Sequence, residues 1–148
     1  MKKFIFCFLI VAICGLCVTA QTNRKYKNDE LPADISKMTD ADSMELLNNP
    51  AIKMRLKRLL GKKNYDSFLE SFETVTPVEK KGVFLFASGC LIHACTQVES
   101  AIAVDLVNKT IHAAIYRRGE KTKFFNENGR ATPKVIKNWA ERLAGYEE

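Results

Sequence analysis

In Cys90-Leu91-Ile92-His93-Ala94-Cys95, two cysteines bracket a histidine, in a chain of 148 residues with only two histidines. Thiols and an imidazole this close together serve metal ligation, nucleophilic catalysis, or a disulfide that fixes the imidazole in place. Structural zinc usually takes four ligands. Beyond residue 20 the thiols and imidazoles are Cys90, Cys95, His93 and His112, and His112 falls on a separate predicted strand. Haem attachment needs Cys-x-x-Cys-His, and a thiol redox centre needs Cys-x-x-Cys opening a helix. Neither order is present. A Cys–His nucleophile needs a free thiolate. No acid pair, triad or phosphate loop stands out elsewhere, so the reading is of a non-enzyme with no cofactor and no metal.

The N-terminus bears on the state of the thiols. Lys2 and Lys3 precede an apolar run from Phe4 to Val18, and Val18-Thr19-Ala20 ends it with small residues suited to signal peptidase. Residues 1–20 therefore read as a signal peptide cleaved near Ala20, sending the chain to the periplasm or outside the cell. Cys7, Cys14 and Cys17 leave with that segment, so two of the five cysteines remain. In an oxidising compartment, Cys90 and Cys95 are expected to form one disulfide. Closing a six-residue loop removes unfolded-chain entropy worth about 2 kcal/mol. The formal charge of +6 falls to +4 without Lys2 and Lys3. The 128 residues left after removing 20 from 148 suit one domain with a core of its own. Neither a nucleic-acid partner nor a membrane-embedded state is expected, and a homodimer is compatible with the chain.

Stepping outward from the loop, residues 21–42 read as a flexible polar lead-in and residues 43–148 as the domain. Asn49 and Pro50 open a helix that Gly61 stops. Ile52, Leu56, Leu59 and Leu60 share its apolar face, with Lys53, Arg55, Lys57 and Arg58 around the others. A second helix fits Asn64 to Phe72. Val83 to Ala87 is an apolar run that reads as a buried strand delivering the chain into the loop. Ser100–Val107 and Thr110–Arg117 alternate with the two-residue period of strands, joined by a turn at Asn108-Lys109. Thr122–Phe125 is a further short strand. Thr132 caps and Pro133 opens a last helix, whose stripe includes Ile136, Trp139 and Leu143. The class is α+β: an antiparallel meander with helices packed against it, N-terminal helices on one side of the sequence and one helix at the C-terminal end.

The Cys-x-x-His-x-Cys loop, with an apolar strand running into Gly89-Cys90 and a hairpin following it, resembles the periplasmic inhibitors of vertebrate lysozyme called Ivy. The likeness covers roughly Asn49 to Ala144. It implies a central antiparallel sheet with helices, and an inhibitory loop made of Cys90, His93 and Cys95. By that resemblance the loop enters a lysozyme cleft and His93 meets the catalytic acid pair, two carboxyl groups that an imidazole can hydrogen-bond. The best-known loops carry proline before the histidine and an acidic residue after it, where this chain has Ile92 and Ala94. The implied partner is a lysozyme or, given the positive charge of this chain, a bacterial lytic transglycosylase. The alternative is a small envelope-binding module whose basic helix, Lys53 to Lys63, meets anionic wall or lipid.

Overall fold

A computed structural model of the chain describes residues 30–146. The expected signal segment and residues 21–29 lie outside the described residues. Three long strands carry the fold: β3 (Phe84–Cys90), β4 (Val98–Asp105) and β5 (Thr110–Arg117). The short strands are β1 (Thr74–Val75), β2 (Glu79–Lys81) and β6 (Lys123–Asn126). The six form one antiparallel sheet in the order β1-β3-β4-β5-β6, with β2 also paired to β3. Successive long strands are sequential neighbours, the arrangement expected of a meander.

Strand alternation sends side chains to two faces, and here both are buried. Leu85, Ile102, Val104, Ile111 and Ile115 meet helices α1 (Ser43–Asn48) and α2 (Pro50–Glu70) on one face. On the other, Phe86, Ala101, Ala103, Ala114 and Tyr116 meet α3 (Lys134–Ala144) through Ile136, Trp139 and Leu143. The alanines leave room for the helix to lie close, and Trp139 fills the space between. Strands covered on both faces lose the apolar–polar alternation of a half-exposed sheet.

Gly61 interrupts α2 with φ 68° and ψ 167°, a conformation favouring glycine, and the chain resumes its helix to Glu70. The stop expected at Gly61 is thus a kink between two helical segments. Asn64 Nδ2 spans it by donating to the Leu60 carbonyl (2.9 Å). At the start of α2, Asn49 Oδ1 accepts from the backbone N–H groups of Ala51 and Ile52, as an N-cap should.

Several expectations are corrected. Residues 30–42, taken as part of a polar lead-in, place Leu31 and Ile35 in the core. Two apolar residues among charged neighbours give too weak a period to be read from sequence. Arg55, assigned to a solvated face, is buried: its guanidinium pairs with Glu127 and donates to the Lys109 carbonyl (2.7 Å). Thr132 does not cap α3, because its hydroxyl accepts from Asn126 Nδ2 (3.0 Å) and Pro133 occupies the N-cap position. Glu79–Lys81, which lies between the expected second helix and the expected Val83–Ala87 strand, is the edge strand β2, whose three residues are all exposed. Finally, β3 runs past Ser88-Gly89 to Cys90 itself. A Cβ at residue 89 would lie 3.0 Å from the Phe72 backbone and ring, so glycine there lets the strand pass.

Candidate functional site

Cys90 ends β3 and Val98 begins β4, so the loop of residues 91–97 joins two neighbouring antiparallel strands at one end of the sheet. Cys90 and Cys95 are disulfide-bonded, with Cα atoms 5.0 Å apart. Inside the closed ring the chain makes a tight turn, Ala94 N–H donating to the Leu91 carbonyl (2.9 Å). Below it, Leu91 N–H bonds the Val98 carbonyl (3.0 Å), and the N–H groups of Gln97 and Val98 both reach the Ala94 carbonyl. The turn after β5 braces the loop from the side, Arg118 N–H donating to the Gln97 carbonyl (2.8 Å).

His93 stands exposed on this turn with φ 62°, in the left-handed region. Ile92 beside it is 55% exposed. The His93 imidazole makes no hydrogen bond or ion pair to another described residue, whereas backbone groups on either side of it are tied down. Left-handed φ is uncommon outside glycine and costs about 1–2 kcal/mol for an L-residue. Thr96 shares it, with φ 67°, although a branched Cβ makes that conformation rarer still. Two carboxylates stabilise the backbone here. Glu73 Oε2 accepts from Ile92 N–H (3.1 Å), and Glu99 Oε1 accepts from Thr96 N–H (2.9 Å).

The sequence singled out Cys90, His93 and Cys95, and the structure brings them together. It missed Glu73 and Glu99. Glu99 lies three residues after Thr96, a spacing that side chain-to-backbone turns use, but Glu73 is nineteen residues from its partner and leaves no local signal.

The other histidine is elsewhere. His112 pairs in register with Ala103, four positions along β5 from Tyr116, which lies opposite Glu99 at the loop end. At about 3.4 Å per residue that is roughly 14 Å along the sheet. His112 is buried, with Nδ1 against Asn126 Oδ1 (2.8 Å) and Nε2 against Thr110 Oγ1 (3.3 Å). Among the described residues, the cysteine and histidine side chains are therefore split between the two ends. No cluster of three or more metal-ligating side chains occurs among the described residues.

The loop thus combines a disulfide-closed, hydrogen-bonded backbone with an exposed imidazole. A family model described as Inhibitor of vertebrate lysozyme (Ivy) matches residues 51–145, which run from the first turn of α2 to the end of α3. The chain belongs to this family. The Ivy match takes in the whole sheet, the disulfide loop and both carboxylates that brace it. Neither the comparison with curated proteins nor that with solved structures gives a match. The family is described as one of inhibitors, consistent with the sequence reading of a non-enzyme. No helix among the described residues is long and apolar enough to cross a membrane.

Proposed function

We propose that this Ivy-family chain inhibits a lysozyme-type glycan-cleaving enzyme by placing the Cys90–Cys95 loop in its active-site cleft, with His93 as the plug. The observation that carries the reading is the contrast inside the loop: the backbone is fixed by a disulfide and several hydrogen bonds, while the imidazole is exposed and makes no hydrogen bond or ion pair among the described residues. Ordering a flexible side chain or loop on binding costs about 0.5–1.5 kcal/mol per group, and a loop already ordered avoids most of it. A glycosidase cleft offers paired carboxyl groups, which accept hydrogen bonds from an imidazole N–H. Ile92 and Ala94 beside the plug add apolar contact in place of polar contact. The partner is a lysozyme; the setting is the periplasm or beyond, after removal of residues 1–20, where the disulfide is stable.

The test is inhibition of wall lysis, measured with a vertebrate lysozyme and with a bacterial lytic transglycosylase. Wild type should inhibit at least one, and His93→Ala should inhibit it at least about thirtyfold less well, the effect of losing a central interface anchor. Equal inhibition by the two variants would remove the plug. Association with wall or anionic lipid that is salt-sensitive and indifferent to His93 would favour instead a role for the exposed cations Lys53, Lys57 and Lys63 of α2.

A further inference from the structure

The disulfide fixes the ends of the loop but does not by itself set its backbone. Four residues lie between Cys90 and Cys95, and one of them, His93, is in the left-handed conformation. The groups that hold this conformation come from both sides of β3. Glu73 immediately precedes Thr74, which pairs with Cys90 across β1–β3, and Glu99 pairs with the same Cys90 across β3–β4. Thr74, Cys90 and Glu99 therefore stand side by side across adjoining strands, with the half-cystine in the middle and Glu73 one residue beyond Thr74. From these flanking positions one carboxylate accepts the N–H just before His93 and the other accepts the N–H three residues after it. Hydrogen bonds to an ionised acceptor are roughly twice as strong as neutral ones.

We propose that Glu73 and Glu99 are positioning residues for His93, two carboxylate struts that set the presented conformation of the loop; this rests on the plug reading above. Glu99 is the stronger strut, because it is half-buried and its bond is shorter, while Glu73 is exposed to competing water. The struts also explain how Thr96, a β-branched residue, keeps its positive φ: its N–H is held by Glu99 at the point where the chain turns back into β4.

Alanine and glutamine variants at both positions separate this from a general structural role. Glutamine removes the charge but keeps a carbonyl acceptor, so it also separates the strut from any change in steering. Amide hydrogen exchange is read at Ile92 and Thr96, and binding kinetics are read on immobilised vertebrate lysozyme, with His93→Ala alongside. Glu99→Ala should speed exchange at Thr96 and dissociation from lysozyme, each by about tenfold, the effect of losing one such bond. Glu73→Ala should do the same at Ile92 by about threefold. Both glutamine variants should dissociate at rates between wild type and their alanine counterparts, since a neutral acceptor keeps only part of the bond, whatever happens to association. The melting temperature should stay close to wild type; if an alanine variant melts much lower, its glutamine counterpart decides. Unchanged exchange in the alanine variants overturns the struts. So does faster exchange with unchanged dissociation, provided His93→Ala does weaken binding. If His93→Ala binds like wild type, the plug reading fails, and the positioning role fails with it even where exchange responds.

Discussion

The two histidines of this chain sit in opposite settings. At one end of the sheet, both ring nitrogens of His112 have partners, Asn126 and Thr110, and the residue is 3% exposed. Around it lie other satisfied polar groups: the Arg55–Glu127 pair, with Glu127 Oε2 also accepting from Ile111 N–H (2.8 Å), and Asp105, which closes the β4–β5 turn. At the other end, the backbone beside His93 is tied down while its imidazole is exposed and has no partner among the described residues. The same residue type is built into the structure where side chains converge on it and is left exposed where only the neighbouring main chain is held. Buried polar groups must be paired, so the first end is committed to the fold and the second is available to a partner.

Removing partners at the buried end should cost the most. Glu127→Ala leaves the Arg55 guanidinium buried without its carboxylate and Ile111 N–H without its acceptor. Loss of one member of a buried pair is expected to destabilise by about 3–5 kcal/mol, read from urea or thermal unfolding. A cost under about 1 kcal/mol, the range of surface pairs, would show that this end is not committed to stability.

His112→Ala comes next, at about 2 kcal/mol, since it strips a partner from Asn126 and leaves space in the interior. It should leave lysozyme inhibition by the remaining folded protein unchanged. Loss of inhibition without loss of fold would erase the distinction between the two histidines.

Asp105 gives the buried end a pH dependence. Burial alone would raise its carboxyl, but hydrogen bonds from the Asn108 side chain and from the Asn108 and Val107 N–H groups, with His112 nearby, hold it below the ordinary carboxylate value. A group depressed in the folded state stabilises above its unfolded value, and that contribution is lost as pH falls through the folded one. Wild type should therefore lose more stability than Asp105→Asn on acidification through and below the ordinary carboxylate range. Parallel stability–pH curves for the two would contradict this.

The contrast between the ends was only partly legible in the sequence. The loop could be read because its signal is local: two cysteines five positions apart, a histidine between them, and strand-like runs on either side. The alternation of Ile102, Val104, Ile111 and Ile115 marked one buried face correctly. Ala101, Ala103 and Ala114 are too small to mark a second, although α3 packs there. Arg55 was misread because a cation on a helix surrounded by cations resembles a solvated face, and its carboxylate partner is seventy-two residues away. Glu73 escaped for the same reason, and β2 because an edge strand of Glu-Lys-Lys has no apolar pattern to read. What pairing over long distance decides, periodicity cannot show.

The smallest effect on stability belongs to the residue with the largest expected role in binding. His93→Ala should leave the unfolding free energy within about 0.5 kcal/mol of wild type, as substitution of an exposed side chain would. The decisive measurement is its dissociation rate from a vertebrate lysozyme, side by side with wild type. The expected result is dissociation at least about thirtyfold faster with little change in association, because the contact is made only after docking. Equal dissociation rates for two equally stable proteins would contradict the insertion of His93 as a plug.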